Sequence, residues 1–150
     1  FDAKWDLITG IWIEGSWTIK RQNVGLFTNQ EIFNAGIDYT FGLGSGLYAS
    51  YEPLLLSYDA KPFRLANATS FSLLTVSYNI ALFDKISAII YYNWTNKTIY
   101  NFLSWQKQFS IMTFYVMAYL NPVDYQLPAQ TASKNSFSGK GIQIMLVYNH

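Results

Sequence analysis

The sequence predicts an all-β fold: a single antiparallel transmembrane β-barrel domain over residues 1–150, with about eight strands in this chain. Three observations carry that prediction. Apolar and polar residues alternate with period two in segments of roughly ten residues, the pattern of strands that cross a bilayer with one face in oil. Charged residues make up only 13% of the chain while aromatics reach 19%, so the exterior must be poor in charge. No run approaches the roughly 18 apolar residues of a spanning helix. The longest stretch, Phe109 to Leu120, is too short and is interrupted by Ser110 and Thr113. Hydrocarbon offers backbone N–H and C=O groups no partners, so a membrane chain without such helices has to satisfy them around a sheet.

The first strand is expected within Asp6 to Lys20, where Leu7, Ile11, Ile13, Trp17 and Ile19 share one face and Trp12, Glu14, Ser16 and Thr18 the other. A polar connection at Arg21 to Gly25 leads to the clearest alternation, Phe33, Ala35, Ile37, Tyr39 and Phe41 against Asn34, Gly36, Asp38 and Thr40. Gly42 to Gly46 reads as a tight hairpin, because glycine tolerates positive φ and alternation resumes immediately with Leu47, Ala49 and Tyr51 opposite Tyr48, Ser50 and Glu52. A strand follows these glycines, not a helix, so they offer no helix N-terminus to a phosphate. Tyr58 to Ala68, with Lys61, Pro62 and Arg64, has no period and is expected to be an external loop.

The fourth strand sets Leu74, Val76, Tyr78 and Ile80 outward and Leu73, Thr75, Ser77 and Asn79 inward. After a turn at Phe83-Asp84, the fifth alternates Ile86, Ala88, Ile90, Tyr92 and Trp94 with Ser87, Ile89, Tyr91 and Asn93, and ends near Asn96-Lys97. Thr98 to Trp105 is a less regular sixth strand, and Gln106 to Gln108 are read as its turn. Met112 to Leu120 is the seventh, with Tyr115 and Tyr119 inward. Asn121 to Gly139, which holds Pro122 and Pro128, is the longest loop, and the last strand opposes Ile142, Ile144, Leu146 and Tyr148 to Gln143, Met145 and Val147. Connections after the first, third and seventh strands are long or polar and those after the second, fourth and sixth are short, the asymmetry of outer-membrane barrels. An even count places both termini on the short-turn side.

The closing segment GKGIQIMLVYNH resembles the terminal strand of bacterial outer-membrane β-barrel proteins, with Ile142, Ile144, Leu146 and Tyr148 in the alternating register. That family usually ends on an aromatic residue, whereas this chain continues to Asn149 and His150. FNAGIDYTFGLGSGLYASYE and SGKGIQIMLVYNH are also similar to C-terminal halves of larger porin-like barrels of Bacteroidota. The resemblance implies a bacterial outer-membrane location and lipid as the surrounding medium. Its implied protein partners are the barrel-assembly machinery or other outer-membrane subunits. It also opens the reading that these strands are the C-terminal part of a larger barrel.

The lumen-facing set is Trp12, Glu14, Asp38, Glu52, Thr75, Asn79, Tyr91, Asn93, Tyr115, Tyr119 and Gln143. Its carboxylates would attract cations or pair with Lys20 and Lys85, pairing being favoured. The lipid-interface set is Trp17, Tyr39, Phe41, Tyr51, Tyr78, Tyr92, Trp94 and Tyr148, whose rings suit oil and whose polar tips suit headgroups. His150 is the sole histidine and lies far from any acid–nucleophile set, and cysteine is absent, so no catalysis, metal or cofactor is expected. Scattered Lys and Arg with a net charge of +1 argue against nucleic acid. The expected function is a porin-like passive channel or a structural membrane barrel. The alternatives are a lipocalin-like lipid-binding barrel and, ranked lower, a small lipid-modifying barrel enzyme.

Overall fold

The computed structural model describes residues 1–6, 9–123 and 137–148, and of residues 4–6 the backbone alone. Among them, nine strands form one sheet in chain order, each antiparallel to the next. They are β1 (Asp2–Asp6), β2 (Gly10–Ile19), β3 (Asn29–Phe41), β4 (Leu47–Asp59), β5 (Thr69–Ala81), β6 (Asp84–Asn93), β7 (Thr98–Gln108), β8 (Met112–Leu120) and β9 (Lys140–Tyr148). Short 3-10 turns at Gly25–Phe27 and Leu65–Asn67 are the only helical elements among the described residues. β1 and β9 are the two edges of the sheet and do not pair with each other.

The strand count is nine where about eight were expected, because Asp2–Asp6 forms a strand of its own. Five residues, three of them charged, carry too little alternation to be read locally. They become a strand by pairing with β2 from Asp2↔Glu14 to Asp6↔Gly10. Asp6 therefore ends β1 and does not open the next strand, and Leu7, placed outward from the sequence, lies outside the described residues. The odd count also makes β1 and β9 run the same way, and Phe1 bonds to Gly15 midway along β2 and so does not share the short-turn end with Tyr148.

Elsewhere the strands mostly outrun their alternation. β3 begins at Asn29 and β4 continues to Asp59, since ladder bonds extend past the apolar rows. Gln106, Lys107 and Gln108 belong to β7, opposite Tyr115, Phe114 and Thr113, and the turn falls on Phe109–Ile111. Polarity suggested a turn there, but Lys107 is held in the ladder opposite Asp84, with Nζ 3.1 Å from its Oδ2.

Connections at one end (20–28, 60–68, 94–97 and 121–139) are longer than most of those at the other (42–46, 82–83 and 109–111). The 42–46 turn is built on glycine, with Gly44 at φ +58° and Gly46 at φ +98°, and Gly46 N–H donates to Leu43 C=O at 3.0 Å. A side chain at φ +98° is strained, so Gly46→Ala is expected to cost about 1–3 kcal/mol. Gly42→Ala, which meets open space, should stay within about 0.5 kcal/mol in the same denaturant titration.

The two faces differ in exposure. Ladder register carries one face from Trp12 and Glu14 through Asn34, Asp38, Ser50, Thr75, Ser77, Ile89, Tyr100, Phe102 and Tyr119 to Gln143. On it, Tyr100 is 0% exposed and Ser50, Phe71, Ser77 and Thr113 are buried. Among the described residues no second layer covers the sheet, and burial on this side comes from side chains of the inner face packing against one another. The opposite face is rich in exposed apolar residues, including Ile37, Leu74, Ile90, Leu103 at 54% and Ile144 at 65%. The inner face mixes polar residues with the buried Leu56, Phe71 and Tyr100, while large apolar side chains stand exposed on the outer face, where a water-soluble sheet ordinarily carries polar ones.

Candidate functional site

Every residue expected in the lumen lies, by register, on the inner face, and the expected lipid-interface strand residues lie on the outer face. Trp94 lies just beyond β6. Their surroundings divide the inner residues into an acidic group and an aromatic group.

Glu14, Asp38 and Glu52 come from three adjacent strands. Glu14 is opposite Asn34, whose amide faces Glu52, and Glu52 lies within electrostatic range of both other carboxylates. Trp12 lies across Gly36, where an added Cβ would sit 2.1 Å from the indole ring, so the missing side chain leaves room for the ring. Pro53, next to Glu52, lacks an N–H, and the β3–β4 ladder is interrupted between Asn34↔Leu54 and Ile37↔Tyr51. Tyr48 Oη is 3.5 Å from Asp38 Oδ2.

The expected pairing with Lys20 and Lys85 does not occur. Lys85 is opposite Asn79 and Gln106, and Lys20 follows the end of β2. Among the described residues no Lys or Arg forms an ion pair with these acids, and the ion pairs present are Arg64–Asp59 and Lys107–Asp84. Nor do these acids form a metal-binding group. Glu14, Asp38 and Glu52 thus gather three carboxylates on one face of the sheet.

Farther along the same face, toward the long-connection end, Tyr91, Phe102, Tyr119 and Phe137 pack ring against ring. Centroids of Tyr119 and Phe137 are 5.5 Å apart. Phe137 comes from the 121–139 connection and is held by Asn121, whose Nδ2 donates to its carbonyl at 2.8 Å. Nothing in the alternation pattern signalled that this loop residue would join the inner cluster.

Some inner residues have local roles. Asn93 is 5% exposed, and its Oδ1 accepts from the backbone N–H groups of Thr95 and Asn96, so it shapes the 94–97 turn. Thr75 is opposite Ser50 and Ile89, Tyr115 is opposite Gln106 and Met145, and Gln143 is opposite Met117. Asn79 is exposed, and its carbonyl accepts from Ser45 Oγ.

The outer aromatics form two bands. Tyr39, Phe41, Tyr78 and Tyr148 lie toward the short turns, and Trp17, Tyr92 and Trp94 toward the long connections. Tyr51 lies in neither band, since it is opposite Leu74 near the middle of its strand. Its hydroxyl meets Ser72 Oγ at 2.8 Å, and Trp94 Nε1 donates to that same oxygen at 2.8 Å. A polar group on the oily face is thereby satisfied without water.

Outward positions near the long connections carry Asn29, Glu31, Ser57 and Asp59, which sequence alternation alone would leave facing outward as polar groups. The 60–68 connection folds back over them. Lys61 N–H donates to Asp59 Oδ1 at 3.1 Å, Phe63 N–H donates to Glu31 Oε1, and Ser57 Oγ donates to Arg64 C=O at 3.1 Å. Asn29, Ser57 and Asp59 are buried beneath it, at 5%, 2% and 5% exposure.

These features define an antiparallel all-β meander sheet with an inner face that mixes polar and aromatic residues and an outer face rich in exposed apolar ones. Comparison with protein-family models, with curated proteins and with solved structures finds no match to this chain.

Proposed function

We propose that this chain is membrane-embedded β-barrel sheet of a bacterial outer-membrane protein, acting as a porin-like passive conduit or barrel scaffold without catalysis. The single observation that carries this reading is the exposed apolar outer face: Ile37, Leu103 and Ile144 are exposed there while Ser50, Ser77 and Thr113 are buried on the inner side. A lipocalin-like barrel needs its apolar rows inside, so the same observation counts against it. Apart from β1, the strands have nine to thirteen residues, enough to span the hydrocarbon when tilted. Unequal connections and two aromatic bands agree with this orientation.

Closure sets the size. β1 and β9 run in the same direction, so joining them directly would introduce one parallel pair into an antiparallel sheet. An odd number of additional strands between these edges closes the barrel antiparallel throughout and gives the even total of bacterial barrels. The barrel is therefore read as larger than this sheet, and its acidic inner patch favours cations over anions.

Planar-bilayer recording of the full-length protein is the test. Stable conductance steps with cation selectivity are expected, and Glu14→Gln/Asp38→Asn/Glu52→Gln should reduce the selectivity while conductance persists. A protein that stays in aqueous solution without detergent and never enters the bilayer would overturn the membrane reading.

A further inference from the structure

Where the 60–68 connection folds back, it roofs a cavity of about 500 Å³ on the outer face. Trp17, Phe33, Leu55, Phe63 and Leu65 are among its walls. Resting on the membrane reading above, we propose that this cavity is a binding site for a lipid of anionic headgroup, one acyl chain lying in the cavity and the phosphate at its basic border.

Two independent features carry the inference. The first is the chemistry of the walls and where they lie. The cavity opens on the face that exposes Ile19, Phe33 and other apolar side chains, so its natural occupant arrives from hydrocarbon. Its volume falls within the roughly 300–1,000 Å³ of small-ligand pockets. Glu31 also lines it, but its carboxylate is engaged by Phe63 N–H. The second is charge. Lys20 and Arg21 follow the end of β2 and Lys61 lies on the roof itself, all three exposed, while Arg64 on the same connection is ion-paired with Asp59. An anionic headgroup complements them, and a zwitterionic one does so less well.

The roof is built to stay in place. Phe63 holds φ +56°, a conformation that costs a bulky residue energy and persists only when its surroundings enforce it. Here they do: Phe63 N–H is tied to Glu31, its ring stacks on Trp17 at 4.8 Å between centroids, and the Arg64 carbonyl is tied to Ser57. The polar network thus holds an aromatic ring over an apolar hollow. A loop serving only to connect β4 and β5 has no need of that strained geometry.

The test reconstitutes the full-length protein into vesicles of equal parts phosphatidylglycerol and phosphatidylcholine, then counts retained lipids by native mass spectrometry after mild detergent extraction. Retained lipid is expected to be predominantly phosphatidylglycerol. Each of Lys20→Gln, Arg21→Gln and Lys61→Gln should weaken its retention about fivefold, from roughly 1 kcal/mol per surface cation. Leu55→Trp, which fills the cavity at a position on the outer face, should abolish retention of either lipid while insertion into the vesicles is unchanged. Equal retention of both lipids, or indifference to all of these variants, overturns the lipid site and leaves the membrane reading standing. So does release of lipid-free pairs of the chain, which would put a second copy on this face. Failure of the unaltered protein to insert is the distinct result that removes the membrane reading itself.

Discussion

Leu74→Arg is expected to be among the most damaging single changes on the outer face. Leu74 lies mid-strand opposite Tyr51 and Ile90, and its side chain is 38% exposed. If that surface meets hydrocarbon, an arginine there costs about 2–4 kcal/mol, while one near the interface costs about 0–1 kcal/mol. Ile86→Arg, opposite Tyr78 near the short turns, supplies the shallow comparison. Reversible urea unfolding from vesicles should therefore separate the two variants by about 1–4 kcal/mol, at least roughly fivefold in equilibrium constant. In water both would behave as ordinary surface substitutions, within about 0.5 kcal/mol of the parent. Equal, small effects at the two depths would remove the basis for placing this face in oil.

Tyr100→Ala tests the other side of the sheet. Tyr100 is 0% exposed and lies opposite Tyr91 on the inner face, with Thr98 Oγ1 3.3 Å from its hydroxyl. Deleting a fully buried ring typically costs about 3–5 kcal/mol, lost contacts and residual cavity together. Tyr100→Phe keeps the ring and should lose at most about 1.5 kcal/mol, the share of one neutral hydrogen bond. Leu103→Ala, on the same strand but outward and 54% exposed, should cost much less than Tyr100→Ala in the same urea titration. That contrast depends on curvature, because a flat single-layer sheet would leave both residues open. Equal losses at the two positions would contradict an inner face packed on itself.

The two substitutions probe one property from opposite sides, namely which face of each strand is buried. That property was legible because a strand's side chains point alternately to its two faces. Once each segment's period is found, each residue of that strand takes a face regardless of how far the ladder extends. The inward positions of Glu14, Asp38 and Glu52 and the outward positions of Trp17, Tyr39 and Tyr92 follow from that local rule. The glycine turn at 42–46 was equally legible, since positive φ at Gly44 and Gly46 suits a residue without Cβ.

What escaped has a common physical cause: contacts between residues far apart in the chain. Asp2–Asp6 is a strand because β2 accepts its backbone, and five residues cannot announce that themselves. The partners expected for the inner carboxylates, Lys20 and Lys85, are placed elsewhere by register and strand length. Phe137 joins Phe102 and Tyr119 through a bond to Asn121, and Phe63 is set over Trp17 through Glu31, thirty-two positions earlier in the chain. The sequence by itself thus determined an antiparallel all-β sheet, the two faces of its strands and the relative lengths of its connections, because these depend on period two and on turn residues. The tertiary structure alone decided the ninth strand, the direction of the free edges and the folding back of the 60–68 connection into a roofed cavity. Those outcomes depend on which distant groups satisfy one another's hydrogen bonds.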